Sequence, residues 1–394
     1  MSEPKFHIIG ISDCGTPCLT PETERVIRCG KVFSGGRRHR GIMEHLLPEG
    51  YEWIDVTVPL ADVFRRYDDR SGIVVFASGD PLFYGYAATL QREFPDAEIR
   101  VYPSFNSLQM LAHRMLLPYQ DMVNVSLTGR PWSNLDPALI EDRPLIGVLT
   151  DRTKTPAMIA RRLMEYNFDY EMTVGENLGN DGNERVRTMT PAEAAGMEFD
   201  VPNCVVLRLR KPRNLPFGLP ESEFCHLDGR EKMITKMPVR LLTVAMLSLE
   251  GRKSFWDVGF CTGSVSIEVR RHYPSIAITS FEIRPEGEEL MKINSRRFSA
   301  PSITAVTGDF LTLPLEEYPA PDAVFIGGHG GKLGEMLDRI YKYLRPGGTV
   351  VFNSVSAESC AAFRREVEKH GRRIASTHTM TIDNHNPITI MKAL

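Results

Sequence analysis

The residues best suited to chemistry follow three consecutive predicted strands in the second half of the chain. Asp257-Val-Gly-Phe-Cys-Thr-Gly263 closes the first strand, and its glycines allow a ligand to approach the backbone closely. Glu282 ends the next strand and can accept hydrogen bonds from two ribose hydroxyls, and Gly308-Asp309 ends the third and can contact an adenine edge. Together these residues predict a site for a nucleotide-bearing methyl donor.

The spacing of the glycines indicates which nucleotide is expected. Gly259 and Gly263 are separated by three residues, whereas the dinucleotide fingerprint is G-x-G-x-x-G. Phosphate binding is therefore not favoured, and a ligand with an amine and a carboxylate, such as S-adenosylmethionine, fits a turn of exposed N–H groups. The residues expected to bind this donor are Asp257, Gly259, Thr262, Gly263, Glu282, Asp309 and Gly327.

A glycine-rich stretch, Ile326-Gly-Gly-His-Gly-Gly331, follows the fourth predicted strand. Its bare backbone would let a large flat substrate approach the methyl group, with His329 as a candidate acid or base. A lone histidine in a loop is more often an ordinary polar residue, and that alternative stays open.

Two cations precede the first strand of this half. In Ile234-Thr-Lys-Met-Pro-Val-Arg240, Pro238 can begin a helix with Lys236 just before it and Arg240 in its first turn. The helix dipole disfavours a cation there, which invites a functional explanation. We expect Lys236 and Arg240 to hold or activate a carboxylate-rich substrate, the alternative being that both are simply solvated.

The first half of the chain carries a second chemical motif. Ala77-Ser-Gly-Asp-Pro-Leu-Phe-Tyr-Gly85 follows a buried strand, and Gly35-Gly-Arg-Arg-His-Arg40 is a basic loop that would suit a polycarboxylate. A plain strand-to-helix loop and a solvated charge run are the competing interpretations.

Both halves alternate strands with helices, which predicts an α/β fold with parallel sheets. In the second half, the order and spacing of the predicted strands and helices are typical of a doubly wound nucleotide-binding fold. The stretch 209–220 is rich in proline and basic residues and predicts a linker. We therefore expect two domains, 1–210 and 211–394. The strands predicted most clearly are 6–11, 72–77, 145–150, 204–209, 253–258, 276–282, 303–307, 322–326 and 349–353.

Composition narrows the class of protein. The net charge of −3 over 394 residues gives no basic excess of the kind a nucleic-acid binder needs, and the chain has no apolar run long enough to span a membrane. The N-terminus lacks the features of a signal peptide, and seven scattered cysteines are typical of reduced thiols in a cytoplasm. No ligand spacing for a metal follows Cys14 and Cys18, so no metal site is expected.

The motifs together resemble known families over nearly the whole chain. The first 210 residues resemble the tetrapyrrole methylase family in its cobalamin-pathway branch, and residues 218–394 look like its decarboxylating partner methyltransferase. The first resemblance rests on 35–39, 77–85, 103–107, 128–130 and 174–179, and it implies Gly79, Asp80, Pro81 and Ser107 as the donor-binding residues of this half. The second rests on 218–224, 234–236, 239–240, 256–259, 262–268 and 321–328.

The resemblance implies a two-lobed N-terminal methylase domain and a C-terminal Rossmann-like class I methyltransferase domain, both using S-adenosylmethionine. It implies methylation of a precorrin, or its cobalt form, at carbons 5 and 15, with decarboxylation of the carbon-12 acetate. It also suggests a homo-oligomer. An RNA or tRNA methyltransferase, or a C-terminal enzyme with a non-catalytic N-terminal module, is the alternative.

Three positions depart from the pattern of these families. The first loop, 10–17, keeps only some of the expected glycines, Thr128 stands where histidine is frequent, and Phe260-Cys261 replaces a small pair in the donor loop. The first change is expected to alter the lip of the first site. Phe260 either narrows the second site or points its ring away into the helix packing, and both alternatives stay open.

Overall fold

The computed structural model describes residues 4–14, 17–180, 182–383 and 386–394. Gly15 and Thr16, which belong to the atypical first loop, lie outside the described residues. The chain divides into two compact units. The N-terminal unit contains Met1–Arg130, Pro144–Arg161 and Tyr170–Arg210, and the C-terminal unit contains Pro131–Arg143, Arg162–Asp169 and Lys211–Leu394. The domain boundaries expected from the sequence, with a linker at about 209–220, stay a prediction.

The first sheet of the N-terminal unit is parallel throughout, with the order β3-β2-β4-β1-β5. Its strands are β1 (Phe6–Ile11), β2 (Val32–Gly35), β3 (Glu52–Asp55), β4 (Ile73–Ser78) and β5 (Ile99–Tyr102). The intervening helices are α1 (Pro21–Cys29), α2 (Arg37–Met43), α3 (Leu60–Arg65) and α4 (Tyr86–Glu93). Thr20 caps α1 by accepting a 3.2 Å hydrogen bond from the Thr23 N–H, and Pro21 occupies the first helical position.

The second sheet of the N-terminal unit has the order β6-β7-β10-β8-β9, and only β6 and β7 are parallel. The expectation of parallel sheets throughout is therefore wrong here. The reason is that β8 and β9 pair across a short loop, whereas a parallel pair needs a longer crossover. Its strands are β6 (Val123–Ser126), β7 (Leu145–Leu149), β8 (Tyr170–Glu176), β9 (Arg185–Met189) and β10 (Asn203–Leu209). The same unit contains α5 (Ser107–Arg114), the first part of α7 (Pro156–Glu165) and α8 (Pro191–Ala194), whereas the short helix α6 (Asp136–Ile140) belongs to the C-terminal unit.

The C-terminal unit holds a seven-stranded sheet of order β13-β12-β11-β14-β15-β17-β16, in which β17 is antiparallel to both neighbours. The five strands predicted for this half are confirmed as β11 to β15. Its strands are β11 (Ser254–Val258), β12 (Ala277–Glu282), β13 (Ile303–Thr307), β14 (Ala323–Ile326), β15 (Thr349–Ser354), β16 (Ile374–Met380) and β17 (Ile388–Ala393). Its helices are α9 (Met237–Leu247), α10 (Ser264–His272), α11 (Glu286–Arg297), α12 (Leu333–Tyr343) and α13 (Ala357–Lys369).

The order of the strands creates a switch point between β11 and β14. From β11 the chain builds outward through β12 and β13, and it then returns to the other side of β11 for β14 and β15. Ligands of doubly wound sheets bind at the carboxyl ends of the strands at such a point. Because side chains alternate along a strand, Phe255 and Trp256 enter hydrophobic clusters on opposite faces of the sheet. Both faces are thus buried, which keeps the strands that carry the site residues rigid.

Within the described residues, no helix is both long enough and apolar enough to cross a membrane.

Candidate active sites

A cavity of about 610 Å³ opens at the carboxyl edge of the C-terminal sheet, at the β11/β14 switch point. We call it the donor cavity. The predicted residues that line it are Lys236, Asp257, Gly259, Thr262, Glu282, Asp309, Gly327 and His329. Residues from five separate stretches of sequence thus meet at one place, as the strand-end motifs predict.

The two glycines of the loop after β11 have different roles. Gly259 lines the cavity at φ +80°, and a Cβ there would lie 2.9 Å from the Gly328 backbone nitrogen. Gly263 has φ +76° and precedes α10, but it does not line the cavity, and a Cβ there would meet the Met291 Sδ at 2.5 Å. The absence of a side chain at Gly263 is explained by helix packing, and the expectation that Gly263 also contacts the donor stays a prediction.

Asp257 ends β11 with its carboxyl group fully buried. One oxygen, Oδ2, accepts a 2.6 Å hydrogen bond from the Ser266 hydroxyl, whereas Oδ1 has no partner among the described residues. Burial raises the pKa of Asp257 to about 7. A buried carboxyl group with an unused oxygen at the wall of a cavity is suited to a cationic group of a ligand.

Glu282 lies at the end of β12 and is 2% exposed. Its Oε2 accepts a 2.9 Å hydrogen bond from the Cys261 N–H, and its Oε1 accepts one from the Arg284 N–H (3.1 Å) and one from Arg284 Nη1 (2.9 Å). These contacts fix the carboxylate at the cavity wall. Because a carboxylate offers about four acceptor positions, capacity remains for a ligand hydroxyl.

The other predicted donor-binding residues of this unit lie around the same opening. Asp309 accepts a 3.0 Å hydrogen bond from the Leu311 N–H and pairs with Lys332 Nζ at 3.6 Å, and both interactions lower its pKa. Thr262 is buried, and its carbonyl accepts a hydrogen bond from Asn294 Nδ2. Gly327 donates its N–H to the Val258 carbonyl at 2.8 Å, which ties the glycine-rich loop to β11.

Lys236 and Arg240 separate in the structure, although they lie in one short motif. Lys236 immediately precedes α9, lines the donor cavity and has no ion pair within the described ranges. Arg240 is fully buried and does not line the cavity. Its Nε donates to Glu268 Oε2 at 2.8 Å, and its Nη groups donate to the carbonyls of Thr235 and Leu219.

The expectation that Arg240 holds substrate stays a prediction, and its buried contacts favour a structural role instead. Arg240 is a structural cation that ties α9 to Glu268 of α10, so Glu268, and not a substrate, accounts for the cation in the first turn of the helix. Burial raises the pKa of Glu268, but hydrogen bonds from His272 and Arg240 outweigh burial and lower it to about 2.

His329 lines the donor cavity, but both ring nitrogens already have partners. Nδ1 lies 3.2 Å from the Gly331 N–H, from which it accepts, so Nε2 carries the proton of the neutral ring and lies 3.4 Å from the Ser359 hydroxyl. Burial also lowers the pKa of His329. This geometry supports a role in shaping the glycine-rich loop more than one as acid or base.

Asn353 lines the donor cavity from the end of β15 and was not expected from the sequence. Its Nδ2 donates to the Thr243 hydroxyl at 2.9 Å, and that hydroxyl donates to the Val239 carbonyl at 2.8 Å. The Oδ1 of Asn353 also lies 3.2 Å from the Thr243 hydroxyl, so the contacts with α9 fix the orientation of this amide at the cavity wall. A lone asparagine at a strand end has no distinguishing sequence signal, so only the fold identifies it.

In the N-terminal unit, the predicted residues lie at the carboxyl edge of the first sheet. Gly79 has φ +59°, and a Cβ there would lie 2.9 Å from the Asn106 Cα, next to Ser107, which begins α5. Asp80 Oδ1 accepts from the Leu82 N–H at 2.9 Å, and Pro81 is buried in the same turn. The structure thus brings the four residues to one edge. A nearby cavity of about 430 Å³ has Gly10, Pro103 and Ser104 in its wall and includes none of the four.

Comparison with known proteins agrees with this division into two halves. Residues 5–195 match the model of the tetrapyrrole (corrin/porphyrin) methylases, and residues 226–393 match the model of the precorrin methyltransferase domain. The chain is therefore a methyltransferase that combines two methyltransferase domains of tetrapyrrole type.

The relatives include one that matches the full length. A precorrin-6Y C(5,15)-methyltransferase [decarboxylating] from Sinorhizobium sp is 32% identical over 394 residues, which cover 98% of this chain and 92% of that protein. The chain belongs to the family of decarboxylating precorrin-6Y C(5,15)-methyltransferases.

Each half also has a separate relative in Salmonella typhimurium. A cobalt-precorrin-7 C(5)-methyltransferase is 29% identical over 202 residues, covering 51% of this chain and 97% of that protein. A cobalt-precorrin-6B C(15)-methyltransferase (decarboxylating) is 35% identical over 133 residues, covering 34% of this chain and 68% of that protein.

Proposed function

We propose that the chain methylates precorrin-6Y, or its cobalt form, at carbons 5 and 15 and removes the carboxyl group of the carbon-12 acetate. The observation that carries the proposal is the donor cavity, which joins two buried acids, a bare glycine backbone and the unpaired cation of Lys236 at one switch point. A flat, acidic substrate and a cationic methyl donor suit this combination.

S-adenosylmethionine fits the residues of the donor cavity. The unused Oδ1 of Asp257 can accept from an amine, and the fixed carboxylate of Glu282 can accept from ribose hydroxyls. Phe310 and Leu311 supply apolar wall beside Asp309, where an adenine would lie. When bound, the donor supplies an electrophilic methyl group, and the task of the chain is to hold donor and substrate in line.

The substrate side of the cavity is suited to a ring with acidic side chains. Lys236 and Lys232 line it without an ion pair to a described residue, so they can bind carboxylates. Gly327 and Gly328 leave space for a flat ring. In the decarboxylation, the bond from the acetate methylene to the carboxyl carbon breaks, its electron pair enters the conjugated ring, and a proton replaces carbon dioxide.

The two methylations are assigned to different halves. The N-terminal unit would methylate carbon 5, because the relative that matches this half is named a C(5)-methyltransferase. The C-terminal unit would methylate carbon 15 and decarboxylate, because the relative that matches it carries both terms in its name. We further propose a homo-oligomer in the cytoplasm that binds neither nucleic acid nor membrane.

Product analysis tests this proposal. The purified chain is incubated with precorrin-6Y, or with its cobalt form, and with donor carrying a deuterated methyl group, and the product is analysed by mass spectrometry. We expect incorporation of two labelled methyl groups and loss of one carbon dioxide with at least one of the two substrates. If neither tetrapyrrole is methylated, or if the methyl group is transferred to tRNA, the proposal is wrong.

A further inference from the structure

Four polar side chains converge at the carboxyl edge of the first sheet, beside the predicted Gly79-Asp80-Pro81 turn. Ser78 ends β4, Arg38 and His39 follow β2, and Asp13 follows β1. The three strands are neighbours in the parallel order β2-β4-β1, so their carboxyl ends meet. This edge is where parallel α/β sheets bind ligands.

The Ser78 oxygen accepts two hydrogen bonds from this cluster. Arg38 Nη2 lies 2.8 Å from it, and His39 Nε2 lies 2.9 Å from it. His39 Nδ1 accepts from the Gly36 N–H at 3.4 Å, so the proton of the neutral ring is on Nε2, which donates to Ser78. Burial and the Arg38 charge lower the pKa of His39 to about 4, which keeps the ring neutral near pH 7.

These contacts determine what the Ser78 hydroxyl can do. A serine oxygen has two lone pairs and one hydrogen, and here both lone pairs are occupied. The group is therefore left as a pure donor. Ser78 is exposed, and no described residue accepts its proton.

We propose that Ser78 donates this hydrogen bond to a carboxylate of a reactant bound in the N-terminal unit. The inference rests on the proposed function, which supplies two reactants with carboxylates: the acidic tetrapyrrole and the methyl donor. A carboxylate is an acceptor only, and it matches a hydroxyl that can only donate. Ser78 is thus a binding residue, and Arg38 and His39 are positioning residues that act through it.

The charges of the cluster are compatible with an anion. Asp13 lies 3.3 Å from Arg38 Nε and offsets that charge. Arg37, the preceding residue, is exposed and forms no ion pair in the described part of the chain. It is therefore the uncompensated cation next to the cluster.

The test compares Ser78→Ala and Ser78→Thr with a matched control, Ser71→Ala, which removes another exposed hydroxyl just before β4. Two quantities are measured on the full chain: the KM for precorrin-6Y in the carbon-5 methylation, and the affinity for S-adenosylhomocysteine. Ser78→Ala should weaken one of them about 10-fold, as for loss of a hydrogen bond to a charged group. Ser78→Thr and Ser71→Ala should change neither.

The two readouts identify the source of the carboxylate. A raised KM with unchanged donor affinity assigns Ser78 to the tetrapyrrole, and weakened donor affinity assigns it to the donor. If Ser78→Ala changes neither quantity while the wild-type chain methylates carbon 5, the inference is wrong and the proposed function stands. If the wild-type chain methylates no tetrapyrrole, the inference and the proposed function are both wrong.

The positioning role of Arg38 has its own readout. Arg38→Gln frees one lone pair of Ser78, so the hydroxyl can turn away and binding should weaken less than in Ser78→Ala. The double variant should be no weaker than Ser78→Ala, because Arg38 acts through Ser78. Additive losses would show that Arg38 has a separate, structural role.

Discussion

The two candidate sites use the same edge of a parallel sheet but differ in burial. In the C-terminal unit, Asp257 and Glu282 are nearly inaccessible and lie in the wall of the donor cavity. In the N-terminal unit, Ser78 and Arg38 lie at an exposed edge, and His39 stays neutral. On our proposal, ligand recognition in the C-terminal unit depends on buried charge, whereas in the N-terminal unit it depends on how hydrogen-bond donors are oriented.

The comparison also separates residues that look alike in the sequence. Lys236 and Arg240 are four residues apart, yet one faces the cavity and the other is an ion-paired part of the core. Four predictions test the distinction between buried, binding and positioning groups, starting with the largest effect.

Loss of the Arg240 side chain should unfold the C-terminal unit more readily. Arg240→Met leaves the buried Glu268 carboxylate without its cation, which should lower the free energy of unfolding by about 3–5 kcal/mol. The control is Arg345→Met, whose exposed pair with Asp322 spans 3.8 Å and should cost less than about 1 kcal/mol. Urea denaturation measures both. Normal stability combined with a selective loss of decarboxylation would restore Arg240 to the substrate site.

Replacement of Glu282 should weaken binding of the donor, beyond any effect on the stability of the fold. Glu282→Gln replaces a carboxylate oxygen that can accept from ribose by an N–H group, and it should weaken binding of S-adenosylhomocysteine to the C-terminal unit by roughly 1–3 kcal/mol. The exposed Glu289→Gln, on α11, is the matched control. Unchanged affinity in Glu282→Gln, measured by calorimetry, would assign the ribose to another residue.

Donor binding to the C-terminal unit should depend on pH through Asp257. The pKa of Asp257 is raised to about 7, so its carboxyl is mostly protonated below pH 7 and ionised above it. A cationic donor prefers the ionised form, so affinity for S-adenosylmethionine should rise about 10-fold from pH 6 to pH 8. Asp257→Asn should abolish this dependence. A wild-type affinity that falls or stays level over the range would contradict this role.

His329 should give the smallest effect. Because both ring nitrogens have partners within the chain, His329→Gln should reduce the second methylation less than about 10-fold, whereas loss of a general acid or base costs about 100-fold or more. The pH profile of the rate should keep its shape. A 100-fold loss, with one limb of the profile removed, would make His329 a catalytic residue.

The sequence was sufficient wherever one local pattern determines the structure. Thr20 and Pro21 mark the start of α1 because capping is a local interaction, and the strand-end acids Asp257 and Glu282 meet because parallel strands bring their carboxyl ends together. The burial of successive β11 side chains on opposite faces of the sheet likewise follows from the residues of that strand.

Properties that depend on distant residues could not be predicted in this way. The antiparallel direction of β8 to β10 depends on how the strands pair. The buried, ion-paired position of Arg240 depends on Glu268, which lies 28 residues later in the chain. Gly263 illustrates the same limit, since Met291 of α11 determines that its side chain must be absent. The role proposed for Ser78 rests on the hydrogen-bond partners of its oxygen, which the spacing of residues in the sequence does not reveal.

The number of donor sites per chain is the most direct test of two separate methylation sites. Titration calorimetry with S-adenosylhomocysteine should give two sites per wild-type chain. Gly259→Arg, which drives a side chain into the Gly328 backbone, should leave one, and Gly79→Arg, which meets Asn106, should leave the other. A wild-type chain that binds one equivalent, all of it lost in Gly259→Arg, would contradict the account and make the N-terminal unit a non-catalytic module.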